Sequence, residues 1–138
     1  MKFLQKEAIG LPLFVFLSVI DLLLRFTWLA RDTLICNRGV FWGIELLPFW
    51  LMLITGGLLL CLGYLFIRAR FFEERFFLGL MLLGGGVNIL DRLEHGCVLD
   101  YFSWPLGIAS LLPNFNLADM MLLLGLFGLG GIFLKRER

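Results

Sequence analysis

The sequence has few cysteines, almost no histidine and no run of like charges, and each shortage excludes a class of function. The formal net charge is +1 over 138 residues, and no long basic stretch could neutralise nucleic-acid phosphates. The three cysteines lack a CxxC spacing, and the single histidine, His95, completes no cluster of metal ligands. We therefore expect neither a nucleic-acid partner nor a metal site.

Hydrophobic residues, by contrast, are abundant. They make up 60% of the chain, which contains 15 phenylalanines, and the mean hydropathy is +0.92, more apolar than a soluble domain can bury. A helix needs about 20 apolar residues to cross a bilayer core, and four segments qualify or nearly qualify: residues 8–30, 48–68, 76–93 and 117–134. We predict an all-α membrane protein in which residues 1–138 form one domain of four transmembrane helices.

Lysine and arginine residues indicate the orientation of these helices. Eight of the twelve fall on one side of the membrane if the helices alternate, and they are Lys2, Lys6, Arg68, Arg70, Arg75, Lys135, Arg136 and Arg138. Cytoplasmic loops carry an excess of such residues, so we predict that both termini are cytoplasmic. Two loops, about residues 31–47 and 94–116, then lie at the outer surface with most of the unusual polar residues.

Two of the cysteines, Cys36 and Cys97, fall on that outer side. A disulfide between them requires an oxidising compartment, and free thiols are the interpretation that we prefer. Cys61 lies within the second helix, where we expect an inert apolar side chain that fills space.

Ionisable residues within the predicted helices are costly in lipid and usually serve a site. Asp21 and Arg25 are four residues apart in helix 1, so they can form an ion pair with either a structural or a functional role. Near the end of helix 3, Asn88, Asp91 and Arg92 are spaced to point in similar directions. We expect a hydrogen-bonded cluster there, although helix capping and packing would also explain these residues.

Two further carboxylates lie at the outer ends of helices 3 and 4. Asp100 follows helix 3 and Asp119 begins helix 4; alone, the first would be a solvated loop residue and the second a helix cap. Because consecutive helices are antiparallel, these ends are neighbours, and two adjacent carboxylates can share one proton and act as an acid–base pair. The sequence has no Ser/His or Cys/His arrangement with a base in reach and no HExxH motif.

These residues stand in motifs that resemble those of the lipoprotein signal peptidases (signal peptidase II). The N-x-x-D-R motif is present at residues 88–92, G-x-V-x-D-F at residues 96–101 with tyrosine last, and F-N-x-A-D at residues 115–119. An earlier element, N-x-G followed by an aromatic residue and glycine, is echoed at residues 37–43. The order and spacing of the three later motifs are highly specific.

The resemblance implies a role for each matching residue. The catalytic pair would be Asp100 and Asp119. A supporting shell of polar side chains would comprise Asn37, Asn88, Asp91, Arg92, Asn116, Asp21 and Arg25. Arg25 stands where lysine is usual in the family, Val87 where glycine is usual and Trp42 where phenylalanine is usual. We expect these departures to affect the fit of the substrate more than the chemistry.

The resemblance also implies a function, that of an aspartic endopeptidase of the bacterial cytoplasmic (inner) membrane. The substrate would be a lipidated prolipoprotein, whose signal peptide is cut just before a diacylglyceryl-modified cysteine. The active site would face the extracytoplasmic side, where the small segment between helices 1 and 2 has room for short β-structure. The enzyme would be a monomer that contacts its substrate and membrane lipids and requires no metal or organic cofactor.

Two other functions agree with parts of the sequence. In one, the polar helix ends serve assembly, and the protein is a non-enzymatic membrane interaction subunit or an inactive homologue of the family. In the other, the intramembrane acids carry protons or ions, but helix 2 supplies little polar surface for a pathway to the inner side. Substituting each aspartate and measuring cleavage distinguishes the enzyme from the first alternative.

Overall fold

The computed structural model of the 138-residue chain describes residues 2–29, 34–39, 47–103 and 114–138. The elements within these ranges are α1 (Lys2–Leu29), β1 (Ile35–Asn37), α2 (Pro48–Arg68), α3 (Phe72–His95), β2 (Val98–Asp100) and α4 (Leu117–Arg136). Trp42 and parts of both predicted outer loops lie outside the described residues.

The helices present apolar side chains outward. Within the described ranges, α2, α3 and α4 are each long and apolar enough to cross a membrane; α1 has 28 residues, and its crossing remains a prediction. Phe16, Leu60 and Phe127 are 59%, 78% and 72% exposed, respectively. Exposed apolar surface of this kind is typical of a protein that packs against lipid. The chain is therefore a mostly helical membrane protein.

The third helix extends beyond its predicted bounds at both ends, since α3 covers Phe72–His95 rather than residues 76–93. Hydropathy marks only the part of a helix that suits lipid, and polar residues can continue the helix past that part. Glu73 and Glu74 lie in its first turn, where negative charge favours the positive end of the helix dipole. Gly96 ends the helix with a φ of 75°, a left-handed conformation that glycine adopts without strain.

The third helix is central because it packs against α1, α2 and α4. Its contact with α4 depends on glycine: a Cβ atom at Gly84 would lie 2.3 Å from the carbonyl oxygen of Ala118, and one at Gly125 would lie 2.3 Å from Cγ of Met81. Small residues permit this close approach of helices in membranes. Ala118 directly precedes Asp119, so the close packing also places the start of α4 beside α3.

The two strands form an antiparallel sheet beyond the end of α3. In its register Ile35 lies opposite Asp100, and Asn37 lies opposite Val98. This is the short β-structure expected between helices 1 and 2, with the difference that only β1 comes from that segment and β2 follows α3. Asn37 therefore lies diagonally across from Asp100, two residues along β2 from its direct partner, and on the same face of the sheet.

Cys36 and Cys97 form a disulfide, so the expectation of free thiols is wrong. The pairing of β1 with β2 brings their Cα atoms to 5.5 Å, which is within the usual range for a disulfide. The spacing of cysteines in a sequence does not reveal such a register. Cys61 is a free cysteine that is exposed on the surface of α2 rather than buried as filler.

Candidate active site

Asp100 is the last residue of β2, and it is completely buried. The side-chain amide of Asn37 donates a hydrogen bond to its Oδ2 over 3.0 Å, and that of Asn116 donates to its Oδ1 over 3.2 Å. Burial raises the pKa of Asp100 to about 7; the Asn37 hydrogen bond opposes this rise, and the Asp119 carboxylate adds to it. Asp100 can therefore exchange a proton near neutral pH.

The other predicted catalytic carboxylate, Asp119, lies in the first turn of α4 and forms a capping box with Asn116. The backbone N–H of Asp119 donates to Oδ1 of Asn116 over 2.9 Å, and the backbone N–H of Asn116 donates to Oδ2 of Asp119 over 3.1 Å. The remaining oxygen of Asp119, Oδ1, accepts a hydrogen bond of 2.7 Å from the side-chain amide of Asn88. Asp119 thus takes part in helix capping and in the polar cluster.

Buried amides join the two carboxylates. The amide of Asn116, which is completely buried, donates to Asp100 and also to Oδ1 of Asn88 over 3.1 Å. Asn88 in turn donates to Asp119. One continuous chain of hydrogen bonds, here named the carboxylate network, therefore comprises Asn37, Asp100, Asn116, Asn88 and Asp119. It brings together residues of β1, β2, α3 and α4.

A second group of side chains, the ion cluster, consists of Asp21, Arg25 and Asp91. Nε of Arg25 contacts Oδ2 of Asp21 over 2.5 Å, and its Nη1 contacts Oδ1 of Asp91. Oδ2 of Asp91 accepts the backbone N–H of Leu99 over 3.0 Å, so the ion cluster also holds β2. Asp91 therefore pairs with Arg25 on another helix, rather than with its polar neighbours on α3 as its position in the sequence predicts.

The guanidinium of Arg92 supports the turn that follows β1. Its Nη2 donates to the carbonyl oxygen of Gly39 over 3.1 Å, and its Nη1 donates to that of Asn88 over 3.3 Å. The backbone N–H of Gly39 donates to Oδ1 of Asn37 over 3.0 Å, which leaves the amide nitrogen of Asn37 directed at Asp100. Arg92 thus acts on the site through Asn37.

The sequence motifs did not identify Tyr101 as part of the site. Its side chain is buried, its hydroxyl donates to Oδ1 of Asp21 over 2.7 Å, and its oxygen accepts the backbone N–H of Leu117 over 2.9 Å. Burial, and the hydrogen bond to Asp21, raise the pKa of Tyr101, so the hydroxyl stays protonated. The one feature of the sequence that could have indicated this role is its position directly after Asp100, where the family motif has phenylalanine.

The carboxylate network offers a pair of acids, in which one carboxyl group can donate a proton and the other can accept one. Among the residues that the structure describes, no three His, Cys, Asp or Glu side chains are grouped as metal ligands. Fold and site together define the class: a multi-pass membrane protein with an acid pair beside the sheet at one end of its helices.

Comparisons with known proteins identify the family. Residues 5–134 match the family described as signal peptidase (SPase) II. The chain is 36% identical over 127 residues to a lipoprotein signal peptidase of Wolinella succinogenes, and the match covers 82% of this chain and 84% of that protein. A match of 51 residues to a lipoprotein signal peptidase of Xylella fastidiosa is 41% identical and covers 36% of this chain and 30% of that protein. The chain belongs to the signal peptidase II family, and it is a peptidase.

Two solved structures share the fold. A bacterial membrane enzyme structure at 2.3 Å resolution aligns with a TM-score of 0.78 and 23% identity, covering 93% of this chain and 88% of that chain. A second one, at 1.9 Å resolution, aligns with a TM-score of 0.70 and 22% identity, covering 93% of this chain and 94% of that chain. At these identities the likeness concerns the fold alone.

Proposed function

We propose that this protein is an aspartic endopeptidase that removes the signal peptides of prolipoproteins, with Asp100 and Asp119 as its catalytic pair. The cut falls just before a diacylglyceryl-modified cysteine. The observation that carries the proposal is the carboxylate network, in which Asn116 and Asn88 join carboxylates from β2 and α4. The class of substrate comes from the family, because the relatives are named lipoprotein signal peptidases.

A water molecule between the two acids is the nucleophile in the proposed mechanism. One carboxylate takes a proton from the water as the water oxygen attacks the scissile carbonyl carbon, and the protonated partner donates to the carbonyl oxygen. The tetrahedral intermediate then breaks its C–N bond, and the amine nitrogen takes the proton that came from water. One hydroxyl of the intermediate returns its proton to the other carboxylate, so a carboxylic acid and an amine leave and the acid pair is restored. Asp100, whose pKa is raised to about 7 by burial, can hold the proton required near neutral pH.

Uncharged amides suit this chemistry. Asn37, Asn88 and Asn116 orient the two carboxylates through single hydrogen bonds. A cation paired directly with either carboxylate would strongly favour its ionised form and prevent the sharing of a proton. Arg25 is instead paired with two other carboxylates in the ion cluster. The site therefore keeps its polar contacts without forcing both acids to ionise.

The proposed topology places the acids at the outer surface of the bacterial cytoplasmic (inner) membrane. All four helices cross the membrane, both termini are cytoplasmic, and the protein acts as a monomer with no metal or organic cofactor. Basic residues in the last turns of α2 and α4 support this orientation. A reporter that is active only outside the membrane, fused to residue 138, should give no signal, and a strong signal would contradict the topology.

Cleavage of a lipidated precursor tests the proposed function. Purified wild-type protein is incubated with a prolipoprotein that carries diacylglyceryl cysteine, and in parallel with the same precursor lacking the lipid. Mass spectrometry of the released peptides should show a cut before the cysteine in the lipidated precursor and little cleavage of the other. A folded protein that leaves the lipidated precursor intact would contradict the proposal and favour an interaction subunit or an inactive homologue.

A further inference from the structure

Tyr101 lies between the two proposed catalytic acids: its backbone is bonded to that of Asp100, and its hydroxyl is hydrogen-bonded to the helix turn that carries Asp119. It follows Asp100 directly in the sequence. Its hydroxyl oxygen accepts the backbone N–H of Leu117, two residues before Asp119. The side chain of Tyr101 therefore joins the end of β2 to the start of α4.

The hydrogen bond to Leu117 holds the first residue of a helix. The first four N–H groups of a helix have no partner within it, and those of α4 include Leu117 and Asp119. Asn116 satisfies the N–H of Asp119, and Tyr101 satisfies that of Leu117. The first turn of α4 cannot shift along β2 without breaking the second of these bonds.

The other side of the hydroxyl is anchored to the ion cluster. It donates to Oδ1 of Asp21, whose Oδ2 contacts Arg25. A hydrogen bond to a charged acceptor is stronger than one between neutral groups, and a hydroxyl that donates in this way becomes a better acceptor. The buried tyrosine therefore ties α1 and α4 to the strand that carries Asp100.

We propose that Tyr101 is a positioning residue that fixes the start of α4 against β2 and so sets the separation of Asp100 and Asp119. This inference rests on the proposed function and adds a residue to it. Phenylalanine at this position would fill nearly the same space but could make neither hydrogen bond. The hydroxyl group of Tyr101 thus adds to the contacts of Asn116 and Asn88 that set the spacing of the acids in this chain.

A change in that spacing alters the pH dependence of the reaction. Charged groups facing Asp100 are Asp119 from α4 and Asp91 and Arg92 from α3, while β1 presents the uncharged amide of Asn37. The repulsion from Asp119 favours retention of the proton on Asp100, and it weakens as the two carboxylates move apart. Loss of the tyrosine hydroxyl should therefore make the shared proton leave at lower pH.

The test compares Tyr101→Phe with Tyr64→Phe, since Tyr64 is exposed on α2. The values of kcat and KM for a lipidated prolipoprotein are measured across pH together with thermal unfolding in detergent. We expect Tyr101→Phe to lower kcat by about tenfold because misplacement of reacting groups is costly, with little change in KM. The alkaline limb of its kcat profile should move to lower pH by a few tenths of a unit, whereas Tyr64→Phe should match the wild type.

A second variant removes the same hydrogen bond from the other side. Proline is well tolerated at the first position of a helix. Leu117→Pro removes the backbone N–H that donates a hydrogen bond to the Tyr101 hydroxyl. Leu117→Ala is its reference, because it also removes the leucine side chain but keeps the N–H. Relative to Leu117→Ala, Leu117→Pro should lower kcat and move the alkaline limb in the same direction as Tyr101→Phe. The double variant Tyr101→Phe/Leu117→Pro should be no worse than the more impaired single variant.

The outcomes separate this inference from the proposed function. Wild-type protein that cleaves no lipidated precursor would overturn both. Wild-type protein that cleaves, with a Tyr101→Phe variant of unchanged kcat and pH profile, would overturn the inference alone. A loss of kcat that only follows lower thermal stability, with the alkaline limb unmoved, would assign Tyr101 a merely structural role and also overturn it. If Tyr101→Phe does not fold, the comparison of Leu117→Pro with Leu117→Ala decides by the same criteria.

Discussion

The side-chain amide of Asn116 donates to Oδ1 of Asp100 over 3.2 Å. The same residue is the N-cap of the helix that carries the other proposed catalytic acid, Asp119, and it accepts the backbone N–H of that acid. One buried side chain therefore contacts both residues, the carboxylate of Asp100 and the backbone of Asp119. The two acids lie on different elements, so their relative position depends on this contact and on the packing of α4 against α3.

Loss of the Asn116 amide should impair catalysis far more than loss of a nearby exposed side chain. We expect Asn116→Ala to lower kcat by at least about tenfold, because the carboxylate of Asp100 loses a donor and the backbone N–H of Asp119 loses its cap. Asn116→Ser separates two effects, since serine remains a good N-cap but cannot donate as the amide does. His95→Ala is the control, because His95 ends α3 with an exposed side chain. Equal turnover of the Asn116 and His95 variants would contradict this ordering.

The amide of Asn37 should set the pH range of the reaction. Its hydrogen bond to Asp100 stabilises the ionised carboxylate and opposes the burial that raises the pKa of Asp100 to about 7. Asn37→Ala should therefore raise the pKa of Asp100 further, and the alkaline limb of the kcat profile should move to higher pH. The neighbouring exposed Arg38 supplies a control, Arg38→Gln. A limb that stays in place or moves to lower pH in Asn37→Ala would contradict this assignment.

The ion cluster should contribute mainly to stability. Arg25→Met leaves the carboxylates of Asp21 and Asp91 buried without their cation, and removal of one partner of a buried ion pair typically costs about 3–5 kcal/mol. Arg25→Lys should lower stability less than Arg25→Met does, because the ammonium group keeps the positive charge. It should still lower stability, because it lacks the planar guanidinium that binds Asp21 and Asp91 together. Thermal unfolding in detergent measures the stability of both variants. Arg68→Met is the control, because Arg68 is exposed. A wild-type melting temperature for Arg25→Met, with cleavage abolished, would place Arg25 in the catalytic machinery instead.

The disulfide between Cys36 and Cys97 should stabilise the site by holding β1 on β2. It closes a sequence separation of 61 residues, and disulfides of natural proteins commonly contribute about 2–4 kcal/mol. A reducing agent should lower the melting temperature and turnover of the wild type. The double variant Cys36→Ser/Cys97→Ser should show both losses already and respond no further to the reductant, and Cys61→Ser should behave as the wild type. An unchanged double variant would show that strand pairing alone holds Asn37 in place.

Much of the carboxylate network could be predicted from the sequence, because its members lie in motifs near element ends that must meet. Asn88 is near the outer end of one apolar segment, and Asn116 and Asp119 begin the next antiparallel one. Glycine in the first of these segments predicts close packing, and Gly84 does lie against Ala118. Local spacing and helix direction are sufficient for this part of the site.

The remaining features depend on pairing between distant elements, which spacing does not reveal. The disulfide follows from the register of β1 on β2. The partner of Asp91 depends on how α1 is rotated against α3, because this rotation directs Arg25 to it. The role of Tyr101 depends on partners from α1 and α4. In each case the residues are visible in the sequence, and their contacts are decided by tertiary packing.

Turnover of Asp100→Asn and Asp119→Asn tests the proposed catalytic pair most directly. Asparagine removes the ionisable group but keeps the shape of the side chain and an oxygen that accepts hydrogen bonds. Glu94→Gln, which removes an exposed carboxylate near the same end of α3, is the matched control.

Each aspartate variant should fold, bind lipidated prolipoprotein and lose nearly all cleavage, while Glu94→Gln should cleave as the wild type does. The double variant should be no slower than either single variant, because the two acids act as one unit. Near-normal turnover in a folded Asp100→Asn or Asp119→Asn variant would contradict the aspartic mechanism.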